Sequence, residues 1–97
     1  MPTYLVDRDL PGMTRDQLAA AHRAAAETAR QFTAAGKPVR YIRSLFLPQE
    51  ARCLCLFEAT DAESVRSLND TAQIPFTSVT EALELIPPNL KPLEAIR

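Results

Sequence analysis

The sequence has no tryptophan, and its 97 residues hold two glycines, two cysteines and a single histidine. Each scarcity excludes something. Two cysteines are too few for a disulfide framework. With one histidine there is no HExxH pair and no zinc-finger spacing, and with two isolated glycines no phosphate-binding glycine loop. Ser44, Ser64, Ser67 and Ser78 have no companion histidine in their sequence context, so a serine hydrolase has nothing to rest on. No apolar run approaches the roughly 20 residues that span a bilayer. Residues 1–7 lack a basic region ahead of an apolar core, so a secretory signal is not expected. A net charge of −1 creates no field that would gather nucleic acid or anionic lipid. The basic residues are scattered and no aromatic RNA-binding strand motif occurs. The expectation is a cytoplasmic protein with neither a nucleic-acid nor a membrane partner.

What remains is an ordinary globular composition, 46% hydrophobic and 24% charged, in a chain long enough for one modest core. The central stretch is Arg52-Cys53-Leu54-Cys55-Leu56-Phe57-Glu58-Ala59, an apolar run whose two faces both read as buried. Cys53 and Cys55 stand at i and i+2 on this strand, on one face, with Cα atoms roughly 6.5 Å apart. They read as reduced, buried small hydrophobes. A C-x-C metal site is the alternative, and no second ligand pair stands at a matching spacing.

The rest of the chain follows in order. Residues 3–7 read as a first strand, closed by the Pro11-Gly12 turn. Thr14 with Gln17 makes a capping box, and Met13 with Leu18 a hydrophobic staple. An alanine-rich helix follows with an apolar stripe of Leu18, Ala21, Ala25, Ala29 and Phe32, ended by Gly36 and Pro38. Residues 39–47 form a second strand. Unbroken alternation puts Val39, Tyr41, Arg43, Leu45 and Leu47 on one face. A short polar turn at residues 48–50 leads into the central strand as a hairpin. Asp61 caps a second helix with Ala62, Val65, Leu68 and Ala72 inward. It breaks at Ile74-Pro75, and residues 78–86 form a fourth strand.

The order is β-α-β-β-α-β, an α+β ferredoxin-like fold with two helices on one face of a four-stranded antiparallel sheet. Residues 1–86 make the domain and residues 87–97 a proline-containing tail. A sheet with one wet face should alternate apolar and polar residues. The central strand does not, so the bare face predicts a homodimer packed sheet to sheet.

Three segments carry a family resemblance: Tyr4-Leu5-Val6-Asp7-Arg8-Asp9-Leu10-Pro11-Gly12, Cys55-Leu56-Phe57-Glu58-Ala59 with the Asp61–Arg66 helix start, and Ile74-Pro75-Phe76 leading to Val79-Thr80-Glu81. Over residues 3–86 the chain resembles a family of small ferredoxin-like proteins of unknown function that includes nickel-binding members. The resemblance implies a dimeric ferredoxin-like fold. In some members it implies metal binding by histidines after strand 1, in helix 1 and in helix 2. Here Arg8 and Asp9 stand where relatives place histidines, His22 matches a helix-1 histidine, Asn69 lies near the helix-2 position, and Arg43 replaces a strand-2 histidine. One histidine with one or two carboxylates is thin for nickel, which favours imidazole-rich sets.

The candidate metal ligands are therefore His22 and Asp9, for nickel or another divalent ion. His22 borders the helix stripe and titrates near neutrality, so it also fits a general base, or a boundary histidine with one satisfied hydrogen bond. The candidate ligand-binding set is Arg8, Tyr41, Arg43 and Glu58. Arg8 offers a bidentate contact to an anion at the exit of a rigid strand, against a surface ion-pair reading. Arg43, sharing a face with Tyr41, would point into an apolar layer and need Glu58 or Glu81 as partner. The expected function is a small dimer binding a small ligand or a divalent metal. A cofactor-free monooxygenase- or isomerase-like enzyme, by analogy of fold alone, and a purely structural dimer are the other readings.

Overall fold

A computed structural model describes residues 1–85. The elements are β1 (Thr3–Asp9), α1 (Arg15–Ala34), β2 (Val39–Leu47), β3 (Arg52–Ala59), α2 (Ala62–Thr71) and β4 (Ser78–Ala82). The strands form one antiparallel sheet in the order β2-β3-β1-β4, and the helices cover one face. This is the expected ferredoxin-like βαββαβ fold.

Local chemistry sets the helix ends. Thr14 accepts a hydrogen bond from the Gln17 backbone at 3.1 Å, and the Gln17 side chain accepts one from the Thr14 backbone at 2.9 Å. Such a box satisfies two donors that the first turn would otherwise leave bare. Asp61 caps α2 by accepting from Ser64 N at 2.8 Å. Gly36 takes φ +92°, a left-handed conformation that ends α1 and that side-chain-bearing residues adopt at a cost.

β3 shows strict alternation. Cys53, Cys55, Phe57 and Ala59 are buried beneath the helices, while Arg52, Leu54, Leu56 and Glu58 point to the other face. On β1, Tyr4, Val6 and Arg8 share the helix side. Leu18, Ala25 and Ala29 of α1 and Val65 and Leu68 of α2 close the core above them. Small alanines let α1 lie close to the sheet.

Two boundaries and one strand register differ from the sequence expectation. β1 extends to Asp9, because β3 starts at Arg52 and gives Arg8 and Asp9 partners. β4 stops at Ala82, whose partner Thr3 is the first residue of β1, so nothing remains for residue 83 to pair with. Leu83 and Leu85 are 83% and 87% exposed. Residue 86 and the 87–97 tail lie outside the described residues. No helix among the described residues is long and apolar enough to cross a membrane.

The third departure matters most for function. In β2, Tyr41 pairs with Phe57 but Arg43 pairs with Leu56, so Ile42 is an extra residue, a β-bulge. Before the bulge Val39 and Tyr41 face the helices. After it Ser44 and Phe46 do, opposite Cys55 and Cys53. Arg43, Leu45 and Leu47 turn to the open face. The unbroken alternation that put Arg43 beside Tyr41 is therefore corrected: a one-residue insertion flips every side chain beyond it. Arg43 forms an ion pair with Glu84, and its side chain is 60% exposed.

Candidate metal centre

The inner face of the sheet carries a polar group in an otherwise apolar layer. Cys53 and Cys55 of β3 hold their sulfurs 3.7 Å apart. His22 descends from α1 onto them, with Nε2 3.7 Å from Cys53 Sγ. The three ligand atoms lie within 4.8 Å of one another. His22 is half-buried and both cysteines are fully buried, as free thiols.

β2 supplies the next layer. The imidazole stacks on Tyr41, with ring centroids 5.9 Å apart and planes 23° from parallel. Tyr41 in turn packs on Phe57 at 5.3 Å. Its hydroxyl lies 2.5 Å from Ser44 Oγ, which donates to Cys55 Sγ at 2.9 Å. The serine proton is committed to sulfur, so Tyr41 is the donor to Ser44. This relay exists because the bulge brings residues 41 and 44 to one face.

Arg8 completes the group from β1. It is the direct cross-strand neighbour of Cys53 and is only 2% exposed. Among the described residues its one side-chain hydrogen bond runs from Nη1 to the Pro75 carbonyl at 3.3 Å. No carboxylate pairs with it among the described residues. Its charge is felt by His22, Tyr41 and Cys53.

Burial dominates the electrostatics. It pushes the Cys53 thiol up to about 11, with the neighbouring Cys55 adding to the effect. Burial also lowers the His22 pKa, helped by the positive Arg8, and raises that of Tyr41. Burial thus favours the neutral Cys53 thiol and the neutral His22 imidazole. A cation that displaces the thiol protons converts the group into a strong ligand set.

The remaining sequence candidates lie elsewhere. Asp9 is exposed at the end of β1, on the side opposite to its neighbour Arg8, and does not join His22. Glu58 pairs with Arg40 at 2.9 Å, away from Arg43. Arg43 is on the open face. Asn69 is fully buried on α2, donates to the Val65 carbonyl at 2.8 Å and leaves its Oδ1 without a partner among the described residues. Of the expected set, Arg8, His22 and Tyr41 come together. The pair Cys53–Cys55 and Ser44 join them. The cysteines had been set aside because no further ligand stood nearby in sequence; His22 comes from 31 positions away. An apolar groove of about 670 Å³ lies beyond Tyr41, between α1 and the edge strand β2, and includes neither His22 nor the cysteines.

Comparison with known proteins agrees with the architecture. Residues 4–82 match the family described as nickel responsive protein SCO4226-like. The crystal structure of SCO4226 from Streptomyces coelicolor A3(2) superposes with a TM-score of 0.74, covering 87% of this chain and 99% of that one at 21% identity. That identity speaks for the fold alone. No curated protein matches the chain. The family match spans most of the sequence, from β1 to the last residue of β4, and this chain belongs to the SCO4226-like family of nickel-responsive proteins.

Proposed function

We propose that this protein binds a transition-metal ion through His22 Nε2 and the thiolates of Cys53 and Cys55. The observation that carries the reading is their convergence within 4.8 Å beneath α1, from two elements far apart in sequence. The donor chemistry fits. Two bonds of about 2.3 Å from a tetrahedral ion hold their sulfurs about 3.8 Å apart, and the sulfurs here are 3.7 Å apart. Thiolates with an imidazole suit borderline and soft ions, and the imidazole also suits nickel, which the family description names. Tyr41 orients His22 by stacking, and Ser44 donates to Cys55, so neighbouring side chains hold two of the three ligands in place.

In the same reading the protein works as a homodimer in the cytoplasm, where thiols stay reduced. Support for the dimer is the open sheet face. Leu5, Leu45, Leu54 and Leu56 line a shallow depression there, Leu45 is 65% exposed, and the ion pairs Arg52–Asp7, Arg40–Glu58 and Arg43–Glu84 lie around it.

The test is titration of reduced, chelator-stripped protein with nickel, cobalt and, anaerobically, monovalent copper, read by thiolate-to-metal charge-transfer absorption. A single saturable site is expected, lost in His22→Ala and Cys53→Ser. Absence of binding, or binding unchanged in both variants, would overturn the reading.

A further inference from the structure

Arg8 is the least comfortable residue in this structure. A guanidinium keeps its charge in any protein environment. Here it is 98% removed from solvent, bonded to one carbonyl, and paired with no carboxylate among the described residues. A buried charge of this kind needs a nearby negative charge to offset its lost hydration. A group able to become anionic stands beside it: Cys53 lies directly across the strand pair, where side chains are neighbours, and its thiol feels the Arg8 charge.

Charge counting then selects the ion. Metal binding releases both thiol protons and leaves two negative sulfurs beside a neutral imidazole. With Arg8, the residues carry a net −1. A monovalent ion brings the buried group to zero, whereas a divalent ion leaves +1 in a layer closed by Val6, Phe57, Val65 and Leu68. The ligand count points the same way. Among the described residues no fourth histidine, cysteine or carboxylate joins the three. Structural divalent zinc favours four ligands, while monovalent copper is satisfied by few and is selected by soft sulfur donors.

We infer that this site is selective for monovalent copper over divalent ions, with Arg8 as the built-in charge that sets the preference. This rests on the metal-binding reading above and sharpens it. Arg8 touches no metal; it acts through the field it places on the thiolates.

The experiment is anaerobic competition. Reduced protein is titrated with Cu(I) held by bathocuproine disulfonate, and separately with Zn²⁺ and Ni²⁺ held by chromophoric chelators. Wild type is expected to hold Cu(I) more tightly than either divalent ion. Arg8→Met should lower the Cu(I)-to-Zn²⁺ affinity ratio by at least about tenfold, because removing one positive charge helps a divalent ion more than a monovalent one. Arg8→Lys, which keeps the charge, should retain most of the ratio, and circular dichroism establishes that each variant is folded. Tighter divalent binding by wild type, or an unchanged ratio in a folded Arg8→Met, overturns the inference and leaves the metal site standing. Loss of all binding to wild type overturns the site itself.

Discussion

Replacing Arg8 by methionine should make the metal-free protein more stable. Methionine keeps an unbranched apolar stem like that of arginine and removes the charged head. Burying an unpaired ion costs several kcal/mol after relaxation. Against this stands one hydrogen bond to the Pro75 carbonyl. A bond from a charged donor contributes about 1.5–3 kcal/mol, and this carbonyl, only partly buried, can take water instead. The difference favours methionine by about 1–3 kcal/mol. In a domain of this size each kcal/mol moves the melting temperature by about 4–8 °C, so a rise of roughly 5–20 °C is expected. The assay is urea and thermal unfolding with chelator and reductant present. Saturating Cu(I) should narrow the gap, because the thiolates then give Arg8 its counter-charge. A metal-free Arg8→Met less stable than wild type by more than about 1 kcal/mol would refute the reasoning. It would show that Arg8 holds the fold together rather than being retained at a cost to it.

Two further outcomes follow from other parts of the molecule. The hydrogen bond from Ser64 N holds the Asp61 carboxyl below its usual range. The folded state therefore favours ionised Asp61, a contribution present above the ordinary carboxylate pKa and lost as pH falls through the lowered one. Asp61→Asn, which still caps α2, should flatten that acid limb in melts between pH 5 and 2.5, and an unchanged limb would contradict it. On the open face, sedimentation should show a dimer at micromolar concentration and a folded monomer for Leu54→Asp; a monomeric wild type would remove the dimer.

The fold was readable because its signals are local. The Thr14–Gln17 box, the Asp61 cap and the small-residue stripe of α1 each act within a few residues. The apolar run of β3 marked it as the central strand, but both of its faces read as buried, and only the packed helices show that the Cys53, Cys55, Phe57 and Ala59 face is the one they cover. Arg8 and His22 could be marked as chemically unusual from residue type and position alone. Their relation to the cysteines could not, because it depends on α1 crossing above β3 and on the pairing of Arg8 with Cys53 across two strands. Arg43 was misplaced for a more specific reason. Nothing in Val39-Arg40-Tyr41-Ile42-Arg43-Ser44 marks Ile42 as the extra residue; there is no glycine and no proline. The bulge is set by which side chains the core accepts, and that is a property of the folded partner strands.

The bulge also explains how so polar a group survives inside the core. Without it Arg43 would enter the layer beside Tyr41, and two buried guanidiniums would face two thiols. Ser44 would lie on the open face, and Cys55 would lose its hydroxyl donor. With it, the second arginine is sent to Glu84 and a serine takes its place, so among the described residues Arg8 is the one arginine left under the helices. The single-residue insertion thus sets both the hydrogen bonding of Cys55 and the net charge that the thiolates meet. The ion preference inferred from Arg8 depends on Arg43 being absent from that layer, and Ile42 is what keeps it out.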